Sequence, residues 1–568
     1  MNQNLKDKIS LFVILVFVFF LNSYGLGVLE FIRHTEADRT LIAWEMVESR
    51  NFLVPHLIHS TILTKPPLYY WTLATAIKLA GGVSEYVVRM PSVLISVLFV
   101  LCQYLFCKRA GANSTHARFS AIVLFSSMSF FILSTAAEID MLFSFLCSLS
   151  FYFSYFAIKE ESTLDTFASY FFASAAFLTK GPPIVFFFLV IHFGFWLYLS
   201  YQNRCFKLKS FIFVNILGLL IFFAISGLWL SLLAGEVGWN EILRQFQIEV
   251  LQRIAEEKHH PRGYFYYFGS VFSGLLPWSV FLIIGISSWC KSLLRNDVIL
   301  FPSDKMQAFF RFNLFAFIAA FVMLSIAKGK SDRYIFPVYA CISNLVPFAF
   351  YEFKLKCIDS KLYQFGKYFF PLLAIGCLVS AIFLRVPGVD SSTIILLCAI
   401  SFGLCQWFTF ACIKSSSKYS LIGVLLLIFI VRLFYVEVYS ISRNNLRSVK
   451  SIAADIDENI PQGEILYNVE VFERWINYYL KHLGRETYRL TPQEVLSPKC
   501  KNDRCFILLN EEEESWRLEQ LKTLDPQLQI INKYQQGNDN FIFLSTKPQA
   551  LAAIKPEEDF PTVPTRPF

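Results

Sequence analysis

Apolar runs nearly free of charge and about as long as a lipid bilayer is thick recur from the first residues to about position 438, and they leave few folds open. A membrane-spanning helix needs about 20 consecutive apolar residues. Runs of that kind lie at about 9–26, 91–107, 118–136, 140–158, 164–179, 181–200, 210–234, 264–288, 308–327, 334–351, 368–384, 392–412 and 419–438. The sequence therefore predicts a mostly α polytopic membrane protein with about thirteen transmembrane helices. Composition agrees: 55% of residues are hydrophobic and only 17% charged, against about 25% charged in soluble chains. The mean hydropathy of +0.49 excludes disorder, a collagen-like fibre and an ordinary cytosolic enzyme.

The first run has no small-residue cleavage site after it and reads as an uncleaved first span. Cations then fix the orientation. With the N-terminus inside, the inner segments carry Lys6 and Lys8; Lys108, Arg109 and Arg118; Lys159; Arg204, Lys207 and Lys209; Lys291, Arg295, Lys305 and Arg311; Lys354, Lys356, Lys361 and Lys367; Lys414 and Lys418. The opposite short loops carry only Lys180, Lys328, Lys330, Arg333 and Arg385. Positive residues stay inside, and an odd number of spans puts the C-terminus outside. The net charge of +8 is thus a matter of topology, and no nucleic acid is expected as a partner.

Two divisions follow. Residues 1–439 form the transmembrane domain, with long outer loops at about 27–90 and 235–263. The first loop holds amphipathic stretches at 41–53 and 68–79, suited to helices lying along the membrane surface. Residues 440–568 are polar, and short apolar runs at 465–468, 506–509 and 541–544 alternate with helix-like stretches at 471–483 and 511–524. They predict a small extracytoplasmic α/β domain with a loose, Pro-rich tail after Ala553. Most cysteines sit in apolar runs and read as small buried hydrophobes. Cys500 and Cys505 are the exception, and a disulfide between them is an open option in an oxidising compartment.

The unusual polar clusters all fall on the outer side. Arg33-His-Thr-Glu-Ala-Asp-Arg39 follows the first span and offers Glu36 and Asp38 as general bases. Thr64-Lys-Pro-Pro-Leu-Tyr-Tyr-Trp71 holds Lys65 on a stiff Pro-Pro turn, with Tyr69 among aromatics that suit a head group or a sugar face. Asp140 stands at the junction of two spans, where it is either a helix cap or a functional acid. Lys180 occupies a tight turn. Lys258-His-His-Pro-Arg-Gly-Tyr-Phe-Tyr-Tyr267 contributes Arg262, Tyr267 and His260, the last a candidate metal ligand or a plain surface histidine. Lys328-Gly-Lys-Ser-Asp-Arg-Tyr334 adds Lys330 and Arg333 as an anion site. Cations beside carboxylates at the lipid boundary suit a lipid phosphate. No Walker or Gly-rich dinucleotide motif is present.

Together these motifs resemble a known group. Glu36-Ala, Ala43-Trp-Glu-Met-Val, Phe52-Leu-Val-Pro-His56, Lys65-Pro-Pro-Leu-Tyr-Tyr-Trp71, Arg89-Met-Pro91, Ile139-Asp-Met141, Leu178-Thr-Lys-Gly-Pro182, Tyr264 to Tyr267 with Leu276-Pro-Trp278, and Arg333-Tyr-Ile-Phe-Pro337 come in the order seen in polyprenyl-phosphate-dependent membrane glycosyltransferases of the GT-C fold. The chain is most similar to bacterial lipid A aminoarabinose transferases and the protein-mannosyltransferase-like group. The resemblance implies an inverting transfer of a sugar from a polyprenyl (undecaprenyl) phosphate to a glycolipid or protein acceptor, in a bacterial inner membrane with the site facing the periplasm. It implies that a first-loop carboxylate assists the nucleophile while Lys65, Tyr69, Lys180, Arg262, Tyr267, Lys330 and Arg333 hold donor and departing phosphate. No cofactor is firmly implied; a divalent metal at His260 is the one option. The group's first loop reads Asp-Glu, and the Asp position here is Thr35, so Glu36 or Asp38 is expected to substitute. Glu often precedes the loop lysine in aminoarabinose transferases; Thr64 stands there. Rival readings are a protein O-mannosyltransferase-like enzyme, a lipid or sugar transporter, and an inactive scaffold. A transporter should carry charges deep in its spans, whereas these spans are nearly free of them.

Overall fold

The computed structural model describes residues 3–31, 34–203, 208–247, 262–279, 282–283, 303–351, 367–368, 370–380, 384–414, 417–461, 463–469, 474–490, 506–510, 518, 528–536 and 539–545. His260, Cys500, Cys505 and the Pro-rich tail lie outside them, as does nearly all of the helix-like stretch 511–524.

Helices dominate. Among the described residues seven are long and apolar enough to cross a membrane, and a further pair, bent by 65°, makes eight if counted as one span. The chain is a multi-pass membrane protein. Its first eight helices are α1 (Gln3–Ser23), α2 (His34–Ser49), α3 (Leu68–Ala80), α4 (Glu85–Arg109), α5 (Ser114–Phe125), α6 (Met128–Ser134), α7 (Ile139–Lys159) and α8 (Thr163–Lys180). The bent pair is α5 and α6. Leu208–Val237, Asp304–Ile326, Ser391–Lys414 and Ser417–Phe434 fall on four further apolar runs of the sequence. The amphipathic stretches of the first loop are α2, which starts earlier than its apolar face and stops at Ser49, and α3.

Local chemistry sets the ends. The Ser84 side chain accepts from the Val87 amide (3.2 Å) at the start of α4, and Lys108 and Arg109 fill its last turn. Capping and dipole both favour that order. Helix α8 begins on Ser162, whose side chain accepts from the Asp165 amide, and ends on Gly181 at φ +82°. L side chains resist such a backbone, so glycine stops the helix with Lys180 in its last turn. Inside the bundle a polar network replaces part of the apolar packing. Gln103 donates to Asn344 (2.9 Å) and Ser120 (2.8 Å), and Asn344 donates to Tyr152 (2.7 Å) and Asn313 (2.9 Å). Five helices are thereby keyed in one register, because each of these buried groups needs its partner.

The C-terminal region carries a five-stranded sheet of β3 (Leu466–Val469), β4 (Thr487–Leu490), β5 (Phe506–Asn510), β6 (Gln529–Gln536) and β7 (Asp539–Ser545), in the order β4-β3-β5-β7-β6. β3 pairs parallel with β4 and β5, while β7 runs antiparallel to β5 and β6. A two-stranded ribbon, β1 (His56–Leu57) with β2 (Ser60–Thr61), lies in the first loop. The C-terminal region docks on that loop. Glu30 accepts from the Val449 amide (2.8 Å) and from Ser448 (2.9 Å), capping the helix Val449–Glu458 from more than 400 residues away. Tyr479 receives the Phe31 amide (3.1 Å) and donates to Glu85 (2.9 Å), which also pairs with Lys450 (2.9 Å). Lys481 pairs with Glu48 (2.6 Å), and His59 stacks on Tyr488.

Candidate functional site

Arg39, Glu138, Asp140, Lys180 and Arg333 meet at one end of the bundle. Each is delivered by a helix end or its neighbour. Arg39 lies on α2, one turn after Thr35. Glu138 is the residue before α7 and Asp140 stands in its first turn, where the helix dipole favours a carboxylate. Lys180 closes α8 against Gly181, and Arg333 lies in the short 3-10 turn Asp332–Tyr334 that follows the helix Asp304–Ile326.

Asp140 pairs with Lys180 through one carboxylate oxygen and accepts from Arg333 Nη1 (3.4 Å) on the other. Glu138 pairs with Arg39, stands 3.2 Å from Arg333 Nη1 and accepts from Thr35 Oγ1 (2.6 Å). Both acid side chains are buried; Arg333, at 35% exposure, is the member of these pairs most open to a visitor. Among the ion pairs described here three cations meet two carboxylates, and the part-exposed Arg333 leaves the cluster open to an anionic group. The ring of Phe143 lies 5.3 Å from Lys180 Nζ and that of Tyr334 5.1 Å, which leaves the ammonium on an aromatic platform. Tyr69 is wholly buried nearby, and burial pushes its hydroxyl pKa well up, so it stays a neutral donor.

The other residues singled out in the sequence surround this cluster. Glu36 is buried and fully engaged: Arg89 reaches its two oxygens at 3.1 and 3.3 Å, and the Ala137 amide donates to it at 2.8 Å. It therefore ties the first loop to the segment leading into α7. Asp38 is half-buried on α2 between Glu36 and Arg39. Lys65 donates to the Thr64 carbonyl (2.8 Å), and its neighbour Pro66 lies in ordinary contact range of a Cβ built on Gly181. That loop thus borders the end of α8.

Arg262, Tyr267 and Lys330 form an adjoining group. Arg262 donates to Tyr266 Oη (2.6 Å) and to the Lys330 carbonyl (3.0 Å), while Tyr266 donates to Asp332 (2.5 Å). Buried Tyr267 accepts from the Ser331 amide (3.4 Å). Residues 330–333 so connect the two groups through one short loop. Among the described residues no three His, Cys, Asp or Glu side chains converge as metal ligands, and His260 is not one of those described.

Arg39 and Glu138 escaped the sequence reading of the site, and Thr35 was read only as standing where the group carries Asp. Thr35 and Arg39 are four apart and share a helix face; that spacing was the available signal. Glu138 was visible in Glu138-Ile-Asp140, a pair that the sequence leaves open as caps or as functional acids.

A family model described as dolichyl-phosphate-mannose-protein mannosyltransferase matches residues 64–229. An uncharacterised protein of Aquifex aeolicus is 28% identical over 58% of this chain and 62% of its own length. The undecaprenyl phosphate-alpha-4-amino-4-deoxy-L-arabinose arabinosyl transferase 2 of Proteus mirabilis is 25% identical over 60% of this chain and 58% of its own. The corresponding transferase of Wigglesworthia glossinidia brevipalpis is 27% identical over 61% and 59%. The matches so span about three fifths of these curated relatives. Among solved structures, ArnT from Cupriavidus metallidurans bound to undecaprenyl phosphate aligns over 96% of this chain and 99% of its own, with a TM-score of 0.69 and 15% identity. In sequence this chain is similar to the undecaprenyl-phosphate aminoarabinose transferases, and in fold it is similar to ArnT, as its ordered motifs led us to expect.

Proposed function

We propose that this protein is a GT-C glycosyltransferase that moves a sugar from a polyprenyl phosphate, of the undecaprenyl type, to an acceptor such as lipid A or another glycolipid. The observation that carries the reading is the buried cluster of three cations and two carboxylates at the ends of α7 and α8. It has the charge that a lipid-phosphate head group requires and the acids that a nucleophile can use. The cation distribution supports a site on the outer face, and the resemblance to the aminoarabinose transferases supports the periplasmic side of a bacterial inner membrane.

In this reading the phosphate of the donor settles against Lys180 and Arg333, with Lys65, Arg262 and Lys330 on the approach and Tyr69 and Tyr267 in the wall. An acceptor oxygen attacks the anomeric carbon from the face opposite the phosphate. The carbon–oxygen bond to phosphate breaks, the phosphate leaves with the electron pair, and the anomeric centre inverts. A hydroxyl acceptor gives its proton to a carboxylate of the cluster; a phosphate acceptor has none to give. Thr35 stands where the related proteins carry a first-loop Asp, and its hydroxyl holds Glu138, so a carboxylate reaches the same neighbourhood from the start of α7. Asp140, Glu138 and Asp38 are the acids placed to serve. Glu36 has the geometry of a positioning residue through Arg89.

The test is transfer from labelled undecaprenyl-phosphate sugars by the purified protein in proteoliposomes. Mass spectra of envelope glycolipids, taken with and without the protein, would identify the product. A gain of one glycosyl unit on a lipid is the expected result. A glycosylated protein with unchanged lipids would move the acceptor to the protein class; no transfer with intact folding would refute the activity.

A further inference from the structure

Arg432 lies near the end of the apolar helix Ser417–Phe434 and is 1% exposed. Its Nε donates to the Tyr24 carbonyl (3.0 Å) and its Nη2 to the Asn22 carbonyl (3.3 Å). Nη1 has no hydrogen-bond partner among the described residues. The side chain lines a small open cleft walled by Leu26, Leu29, Ile132 and Tyr435. The charged residues of the lining are Arg432, Arg89 and Glu36. Glu36 is already held by Arg89 and the Ala137 amide. Among the described residues Arg432 is left with two carbonyls and the rings of Phe131 and Tyr435, 5.7 and 5.6 Å away. Those are dipoles and quadrupoles, not a counter-charge.

The arrangement is built rather than incidental. Gly25 sits at φ +61°, and a Cβ there would overlap Val436. Only glycine lets the turn after α1 press on the end of the Arg432 helix and bring the Tyr24 and Asn22 carbonyls onto the guanidinium. An arginine buried in a membrane helix without a counter-charge is costly and marks a binding site by default. The surroundings define the ligand. Leu26, Leu29 and the part-exposed Ile132 (37%) give the lining an apolar side. An anionic head with an apolar tail fits both halves.

We infer that this cleft binds a lipid phosphate, at a site separate from the Asp140–Lys180–Arg333 cluster. The two places share no cation: Arg89 and Arg432 serve one, Arg39, Lys180 and Arg333 the other. The inference does not depend on the transferase reading.

Native mass spectrometry of the delipidated full-length protein tests it, with phosphatidylglycerol, phosphatidylcholine and inorganic phosphate as separate additions. One phosphatidylglycerol should bind with an affinity that falls at least tenfold in Arg432→Gln. Arg432→Lys should fall between, keeping the charge but losing the fork. If Arg432→Gln does not fold, Ile132→Trp narrows the cleft without touching the arginine and should give the same loss. Phosphatidylglycerol binding unchanged in the Gln and Trp variants would overturn the site. Equal affinity for phosphatidylcholine would overturn its preference for an anionic head. Inorganic phosphate binding as tightly as the lipid, and as dependent on Arg432, would overturn the lipid assignment.

Discussion

Replacing Lys180 with Met separates the structural from the chemical role of the cluster. Lys180 and Asp140 are in contact, with side-chain exposures of 12% and 3%. Charges about 3 Å apart attract by roughly 5 kcal/mol at an effective dielectric near 20, and breaking a buried pair costs about 3–5 kcal/mol because the survivor stays uncompensated. Arg333 still reaches Asp140 at 3.4 Å, so the loss should sit at the low end, about 3 kcal/mol. Donor binding should weaken separately. One charge-assisted hydrogen bond to phosphate is worth about 1.5–3 kcal/mol, or roughly 10- to 100-fold in affinity. The decisive construction is the double variant Lys180→Met, Asp140→Asn. With both charges gone, thermal stability in detergent should return to within about 1 kcal/mol of the parent. Binding of labelled undecaprenyl phosphate should remain weak. If Lys180→Met binds the lipid phosphate as well as the parent does, the cluster is not the phosphate site. If the double variant stays as unstable as the single, Lys180 and Asp140 are not the coupled pair described.

Glu138→Gln should lower turnover by about 10²–10⁴-fold if this acid takes the proton of a hydroxyl acceptor; donor binding should hold or tighten as the cluster becomes more positive, so a weaker KM at unchanged kcat would contradict it. Glu36→Gln should destabilise the fold by about 3 kcal/mol because it orphans Arg89, and adding Arg89→Met should recover much of that and some activity; a stable but wholly inactive double variant would instead make Glu36 a catalytic acid. His482 accepts or donates at Tyr478 Oη (2.9 Å), packs edge-on to Trp44, and has its pKa lowered by burial, a shift that nearby Lys450 reinforces and Glu85 opposes. A lowered folded pKa means that stability is complete above the unfolded value of about 6.5 and declines as the pH falls through it toward the folded value. Thermal scans between pH 7.5 and 5 should therefore show a loss that His482→Gln reduces, and identical slopes for the two proteins would count against the assignment.

The long apolar helices were legible because lipid imposes one requirement on every residue that meets it; among the described residues seven or eight, against the thirteen expected, are long and apolar enough to span, and the run expected as one span at 118–136 is the bent pair α5 and α6. The C-terminal sheet was legible only at its centre. Apolar runs at 465–468, 506–509 and 541–544 became β3, β5 and β7, the three inner strands. β4 and β6 are the edges, and edge strands keep polar residues; Gln529–Gln536 has too few apolar positions to announce itself. The site was legible as an inventory and not as pairs. Asp140, Lys180 and Arg333 were chosen as separate signals, and only the packing of α7 against α8, with the turn Asp332–Tyr334 brought onto both, makes them neighbours. Glu138 and Arg39 stayed hidden because an acid before a helix and a base inside one have ordinary explanations. Nothing in the sequence says that they face each other.

Glu30 bonding to Val449, and Phe31 to Tyr479, has a consequence for how the molecule comes into being. The segment that ends α1 leaves the ribosome early, yet its partners are made more than 400 residues later. Closing so long a loop is slow more than it is costly. Until nearly the whole polypeptide has been synthesised, the stretch bearing Thr35 and Arg39 lacks the scaffold it leans on. A nascent or truncated copy would therefore sit in the bilayer with its helices inserted and its polar cluster short of the scaffold that holds it.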